Sequence, residues 1–232
     1  MKKERGAERG AAILGALAVL ALGGCATQGP DPWEGPNRAI FGFNEGVDRW
    51  VMEPVAEGWD FVMPERAEQG VTNFFANLRM PLVFLNNLLQ AKPVAAGQDV
   101  GRFVVNTTVG LAGFFDVASR LDIPAHDEDF GQTLGYYGLS PGPYMVLPLL
   151  GPSSVRDTVG LGVDGVSRPE VWLIDLGIRL GAAGIDAVNT RAQLLEEVRE
   201  SRESAFDFYV FVRNAYLYNR ARKVRDGEPQ AE

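Results

Sequence analysis

The sequence predicts an all-α fold of short amphipathic helices joined by Gly- and Pro-rich loops. Three observations carry that prediction. Side chains recur at helical spacing in one segment after another: Ile40, Phe43, Val47 and Trp50; Val71, Phe74, Phe75 and Leu78; Leu82, Leu85 and Leu89; Val100, Phe103, Val104 and Thr107. Pro54, Pro64, Pro81 and Pro93 each fall where one segment gives way to the next. No run alternates well enough to demand a sheet.

The 232 residues suffice for one large domain or two small ones, and 46% hydrophobic content is ample for a core. The formal charge is −8. Residues 1–24 carry Lys2, Lys3, Arg5 and Arg9 against Glu4 and Glu8, so the remainder holds 18 basic and 28 acidic residues. That balance argues against a nucleic-acid partner, whose phosphates need a basic face. One Cys and one His rule out an internal disulfide and leave little for a Cys/His metal site.

Residues 1–9 form a basic start, and Ala11 to Gly24 is an uncharged apolar run of signal-peptide length, too short to span a bilayer. It ends Leu22-Gly23-Gly24-Cys25, which resembles a bacterial lipobox. The resemblance implies cleavage before Cys25 and attachment there of a thioether-linked diacylglycerol and an N-acyl chain. Two such signals anchor stably, at ~0.8 kcal/mol per buried CH₂. Ala26 replaces the Asp that typically retains such lipoproteins in the inner membrane, so the outer membrane, periplasmic side, is expected. The expected organisation is a signal peptide at 1–24, a lipidated tether at 25–30, a helical domain at 31–225 and a polar tail at 226–232.

Asp31-Pro32-Trp33-Glu34 reads as a helix start, with Asp31 as cap and Pro32 in the first turn. Trp33 on so short a tether suits the membrane surface. Asn44 and Asp48 neighbour the apolar positions of this first helix, and Val55, Trp59 and Val62 extend the pattern. Asn106 to Ser119 contains Gly110-Leu111-Ala112-Gly113 followed by Phe114-Phe115-Asp116. Such a break is a tight helix-to-helix turn or a lining where a ligand approaches the backbone. His126-Asp127-Glu128-Asp129 reads as a solvated acidic loop whose spacing matches no cation cage.

Phe130 to Asp157 is dense in Gly, Pro and Tyr, so no long helix runs through it. Its Tyr144, Met145, Val146, Leu147, Leu149 and Leu150 are too apolar for an ordinary loop. They are buried, or they face something other than water. Ser153 to Val166 reads as a helix capped by Ser153 or Ser154. From Val171 to Asn189 nearly everything is apolar except Asp175, Arg179, Asp186 and Asn189. On one helix these lie within about 40° of Asp175, joined by Ala182 at about −20°. A narrow polar stripe on an apolar cylinder fits a central helix with one wet edge, or one that faces lipid and lines a polar passage. Thr190 to Leu195 opens a last helical region, where Phe206, Phe208, Tyr209, Phe211, Tyr216 and Tyr218 mix with Arg213, Arg220, Arg222, Lys223 and Arg225. That mixture suits a membrane interface, a protein contact or ordinary packing.

Gly138-Leu139-Ser140-Pro141-Gly142 matches the hydrolase elbow pattern. The chemistry fails, because the oxyanion hole needs the N–H of the residue after the nucleophile and Pro141 has none. His126 also precedes the Ser, and no phosphate loop or dinucleotide fingerprint is present.

Taken together, several stretches resemble the MlaA (VacJ) family of outer-membrane lipoproteins. They are Asp31-Pro32-Trp33-Glu34-Gly35 leading to Asn37-Arg38 and Phe43-Asn44; Asn73-Phe74; Arg102-Phe103 with Asn106-Thr107; Gly110 to Ala118; Phe130-Gly131-Gln132-Thr133-Leu134-Gly135; Gly142-Pro143-Tyr144 to Leu147-Pro148; Arg156-Asp157; and Thr190-Arg191-Ala192. The resemblance runs from the lipobox to about Leu195. It implies a helical ring in the inner leaflet of the outer membrane around an amphipathic pore. It implies removal of stray outer-leaflet phospholipid, handed to a soluble periplasmic lipid-carrier protein, and association with a trimeric porin. No enzyme activity, cofactor or metal is expected. With it, the candidate pore and lipid path is Asn44, Asp48, Leu111, Asp116, Tyr144, Leu147, Asp175, Arg179, Ala182 and Asp186. Gly110, Gly113, Gly142 and Gly151 are the candidate loop hinges, and Cys25 is the lipid attachment. The alternative is a lipid-anchored scaffold that binds porins or envelope partners and moves no lipid.

Overall fold

The computed structural model describes residues 31–226. The signal peptide, the Cys25 attachment, the tether and the tail beyond Asp226 lie outside the described residues. Helices dominate, as the spacing predicts. Helix α1 (Glu34–Val47) passes through a π-helical turn (Asp48–Met52) into α2 (Glu53–Val62). The wider turn, in which the Glu53 N–H bonds back to the Asp48 carbonyl, accommodates Pro54 just inside α2. The helix starts later than the cap pattern implies. Asp31 lies outside the first turn and accepts hydrogen bonds from the Trp33 N–H (3.2 Å) and Asn37 Nδ2 (3.1 Å).

Helix α3 (Glu65–Leu89) is 25 residues long and includes Pro81, which corrects the expected boundary there. Pro81 removes one ladder bond, but a helix packed along its length on α4 (Pro93–Thr108) retains the rest. A short 3₁₀ turn (Ser119–Leu121) leads to α5 (Phe130–Tyr136), capped by Asp129.

The Gly/Pro-rich stretch forms an antiparallel hairpin, a small sheet that the sequence pattern did not demand. Strand β1 (Tyr144–Leu147) pairs with β2 (Gly151–Ser154), Tyr144 opposite Ser154 and Leu147 opposite Gly151. Four-residue strands are too short to show alternation as a pattern, although Tyr144 and Val146 do point inward. Gly142 and Gly151 hold positive φ values of 69° and 81° at the hairpin's ends.

Helix α6 (Val155–Ser167) follows, with Ser154 accepting from the Asp157 N–H as cap. The long helix expected over 171–189 is broken: α7 (Glu170–Leu173) ends at an extended Ile174, and Asp175 caps α8 (Leu176–Gln193) by accepting from the Gly177 N–H at 2.8 Å. Helices α9 (Leu195–Ser204) and α10 (Phe208–Val224) complete the chain.

The packing order closes on itself. Helix α1 meets β1, β2 meets α6, α6 meets α7, α7 meets α8, α8 meets α2, and α2 continues from α1. Helix α3 packs on α4, α5 and α8, and α10 on α5 and β2. Burial is inverted relative to an ordinary soluble domain. Among the described residues, twelve hydrophobic side chains are buried against nineteen polar or charged ones. Trp50, Phe61, Trp172 and Leu173 are each more than three-quarters exposed. The apolar clusters are small: Ala56, Ala192 and Leu195 in one, and Tyr144, Val146 and Tyr209 in another.

Candidate functional site

Facing helices supply the polar interior through spacing of three and four residues. Asn86, Asn87 and Gln90 on α3 meet Asp99 on α4 and Glu128 and Thr133 near α5, with Asn87 Nδ2 donating to Asp99 at 2.7 Å and Gln90 Nε2 to Glu128 at 2.8 Å. The stretch His126 to Asp129 is therefore not a solvated loop. His126 contacts Asp99 at 2.8 Å, Glu128 is buried against Lys92, and Asp129 pairs with Arg220 at 2.6 Å. Glu128 and Asp129 turn toward partners of opposite charge, whereas Asp127 stays exposed and pairs with Lys223 at the surface.

This interior borders an open cavity of about 590 Å³. Its walls come from α3 (Arg79, Met80, Val83), the 125–129 segment, the hairpin (Leu147, Leu150, Pro152), α6 (Asp157, Leu161, Asp164, Arg168) and α10 (Tyr216, Arg220). The lining is amphipathic, with leucines beside charged groups. Asp157 anchors one wall. It accepts from Arg220 (2.9 Å), Arg156 (2.9 Å), Tyr216 (2.6 Å) and Ser154 (2.7 Å). Burial pushes its carboxyl up, but Arg220 and Tyr216 outweigh that and hold it at about 2. Asp164 and Glu128 end above the ordinary range, because burial there outweighs their hydrogen bonds.

A second cavity of about 320 Å³ shares Arg79 and Arg168 with the first. Arg179, Ala182 and Asp186 of α8 line it, together with Leu78, Ile174, Leu176, Ile178 and Leu180. Asp186 pairs with Arg79. Among the described residues, the guanidinium groups of Arg168 and Arg179 make no ion pair and donate no hydrogen bond, and the Nε atom of each is buried without a partner. Ile178 and Leu180 of α8 are 66% and 64% exposed, so this cavity is open to the surface on their side.

The structure thus brings Arg179, Ala182 and Asp186 together on one cavity and places Leu147 on the other. Asp175 does not join that stripe, because the helix begins after it. Asn44 holds the hairpin turn, donating to the Leu147 carbonyl at 2.9 Å and accepting from the Leu149 N–H at 2.8 Å. Asp48 is committed to Arg191 and Arg202, at 2.8 and 2.9 Å. Asp116 receives a two-pronged contact from Arg102, both at 2.9 Å. None of these three lines either cavity. Tyr144 is buried beneath the hairpin against Tyr209 and Tyr216, and burial raises its phenol to about 12. Leu111 and Ala112 have positive φ in the tight turn. There Gly110 is required by close approach: a Cβ would sit 2.2 Å from the Phe115 carbonyl oxygen. Sequence reasoning missed Arg79, Arg168 and Asp164 as wall residues. Arg79 and Asp164 carry the signal of a polar residue among apolar neighbours on a helix, whereas Arg168 follows the end of α6 and carries none.

The described residues contain no group of three His, Cys, Asp or Glu placed to hold a metal, and no helix long and apolar enough to cross a membrane. Comparison with known proteins agrees with the architecture. The model of the MlaA lipoprotein family matches residues 29–223. The intermembrane phospholipid transport system lipoprotein MlaA of Escherichia coli K12 is 38% identical over 216 residues, covering 87% of this chain and 85% of its own. Its Haemophilus influenzae counterpart is 36% identical over 227 residues, 91% of this chain and 89% of its own. A solved structure described as "Structural basis for maintenance of bacterial outer membrane lipid asymmetry" superposes with a TM-score of 0.75 at 33% identity, over 84% of this chain and 98% of that one. The chain belongs to the MlaA lipoprotein family.

Proposed function

We propose that the protein lies in the periplasmic leaflet of the outer membrane, anchored through Cys25, takes phospholipid that has strayed to the outer leaflet, and passes it to a soluble periplasmic carrier. A trimeric porin is its expected companion in the membrane. The observation that carries this reading is an amphipathic cavity of about 590 Å³ inside a body whose outer helix faces are apolar. A phospholipid needs a path polar enough for its headgroup while its tails stay beside apolar groups. Arg79, Arg168 and Arg179 offer the first, and the leucines and isoleucines of the two cavities offer the second. The closed packing circuit from α1 round to α2 supports a ring around that path. A passive path of this kind requires no catalytic group, consistent with a family of transport lipoproteins.

The scaffold alternative needs a filled polar interior, and the open cavities weigh against it. The test is outer-leaflet phospholipid in cells with and without the gene, read by an outer-membrane acyltransferase that modifies exposed phospholipid. Deletion raises the modified lipid, and wild type, but not Cys25→Ala, restores it. An unchanged level on deletion refutes the proposal and leaves the scaffold.

A further inference from the structure

The smaller of the two cavities has a wall suited to one class of ligand. Arg168, just past the end of α6, and Arg179, near the start of α8, both line it. Their Nε atoms are buried without a partner, whereas their Nη atoms stay accessible and donate no hydrogen bond among the described residues. Two guanidinium groups partly stripped of water, with no carboxylate in contact, are costly to hold on one wall unless an anion joins them. Asp164, whose charged form Arg168 favours, is on the wall of the larger cavity and accepts from the Phe130 N–H and from Asn86.

The remaining charges fix the valence of that anion. Arg79 and Asp186 pair with each other. Glu170 lines the cavity with no ion pair among the described residues. Two guanidinium groups against one carboxylate leave a single positive charge. A phosphodiester balances it, whereas a phosphate monoester, at about −1.5 to −2 near neutral pH, exceeds it. Around the arginines the wall is apolar, with Leu78, Ile174, Leu176, Ile178 and Leu180. Leu176, Ile178 and Leu180 are each more than half exposed, and beside them Trp172 and Leu173 of α7 are exposed further still. The cavity therefore opens onto an apolar surface. Its volume of about 320 Å³ is at the lower end for ligand pockets, room for a headgroup but not for two acyl chains as well.

We propose that this cavity is a lateral phospholipid site. The phosphodiester lies between Arg168 and Arg179, and the acyl chains leave past Leu176, Ile178 and Leu180 into the surrounding bilayer. Each guanidinium offers phosphate oxygens a planar pair of donors. This inference rests on the function proposed above for the lipid as ligand, and adds a sideways opening to the path.

The test uses the full lipidated chain in a non-ionic detergent, with bound lipid counted by native mass spectrometry as dipalmitoyl phosphatidylglycerol is added. Saturable binding is expected. Arg179→Gln should weaken it at least tenfold, as loss of a charge-assisted contact does, and Arg179→Lys should restore most of it. Ile178→Gln should weaken it several-fold. Neither residue lines the larger cavity, so a loss reports this site. Ile178 is exposed and Arg179 is bonded to no other side chain among the described residues, so thermal unfolding should not change. Glycerophosphoglycerol, the headgroup without chains, and inorganic phosphate should displace the lipid only at about a hundredfold excess or more, because they bury no CH₂ groups. The inference is overturned if no lipid is retained, or if either Arg179→Gln or Ile178→Gln binds it as wild type does. It is equally overturned if inorganic phosphate displaces the lipid at equal concentration, which would make the cavity a free-phosphate site. Absent binding with surface phospholipid still rising on deletion refutes this site alone. Retained binding with surface phospholipid unchanged on deletion refutes transport and leaves the site.

Discussion

Replacing Asp157 by Asn should cost the fold about 2 kcal/mol at neutral pH, and the size follows from its surroundings. Its carboxyl is held at about 2 against an ordinary 3.8, and each pKa unit corresponds to about 1.4 kcal/mol. Breaking a buried pair outright costs about 3–5 kcal/mol because a charge is left alone. Here Arg220 keeps two contacts to Asp129, both 2.6 Å, so the loss stays toward the lower figure. The pH dependence fixes the cause. A folded-state pKa below the unfolded one gives stability that is present above about pH 4 and lost as pH falls toward 2. Chemical denaturation of wild type and Asp157→Asn at steps from pH 7 to pH 2 should show a gap that is constant to about pH 4 and then closes. Asp48 is also depressed and loses stability at low pH, but it shares no partner with Asp157 and so does so in both proteins and cancels in the difference. A gap under about 0.5 kcal/mol at pH 7, or one that does not change with pH, would refute the assignment of Asp157 as the charge that ties α10 to α6.

Three further outcomes are expected. Arg179→Glu should raise surface phospholipid to the level of the deletion while leaving thermal unfolding unchanged, since Arg179 is bonded to no other side chain among the described residues; normal lipid removal would take it off the path. Asn37→Ala strips the hairpin of two backbone contacts, to the Tyr144 carbonyl (3.0 Å) and the Val146 N–H (2.9 Å), and should cost about 2–4 kcal/mol in denaturation because a buried N–H is left unpaired. Gly113→Ala places a Cβ 2.5 Å from that of Asn77 at a φ of +94°, and should destabilise by about 2–3 kcal/mol; a loss below about 0.5 kcal/mol would mean that the turn relaxes freely.

Much of the architecture was legible because helical spacing is a local property. Val71 to Leu78 and Val100 to Val104 report their helices without any tertiary information. Failures arose where tertiary partners decide. Pro81 reads as a boundary in isolation, but α4 holds α3 together across it. The hairpin depends on Asn37 and Asn44, more than a hundred residues away in sequence, so no local pattern announces it. Asp175 has the right angular position for the polar stripe, yet its short side chain bonds the Gly177 N–H and starts the helix. The stripe remains from Arg179 onward. Asp48 and Asp116 drew notice as charges among apolar neighbours. That signal does not separate a charge lining a passage from one paired with a distant Arg, and both are paired.

The arginines fall into two groups, and the division bears on how a passage can work. Arg102, Arg156, Arg191, Arg202 and Arg220 are each bound to carboxylates, and all but Arg156, whose partner is the adjacent Asp157, fasten separate segments together. Among the described residues, Arg168 and Arg179 are on cavity walls without an ion pair, Arg168 near enough to Asp164 to favour its charged form, and Arg79 on the same cavity pairs with Asp186. A path must attract an anionic headgroup strongly enough for entry and weakly enough for exit. A fully paired wall would not attract it. A wall of several bare guanidinium groups in a dry interior would hold it, since charge-assisted contacts to phosphate are about twice as strong as neutral ones. Two arginines without an ion pair and one paired with Asp186 lie between those limits. On the proposed function, such an intermediate grip would let lipid move down its own gradient with no energy source in the protein. On that same proposal, the direction of transfer would be set by the acceptor of the lipid and not by these residues.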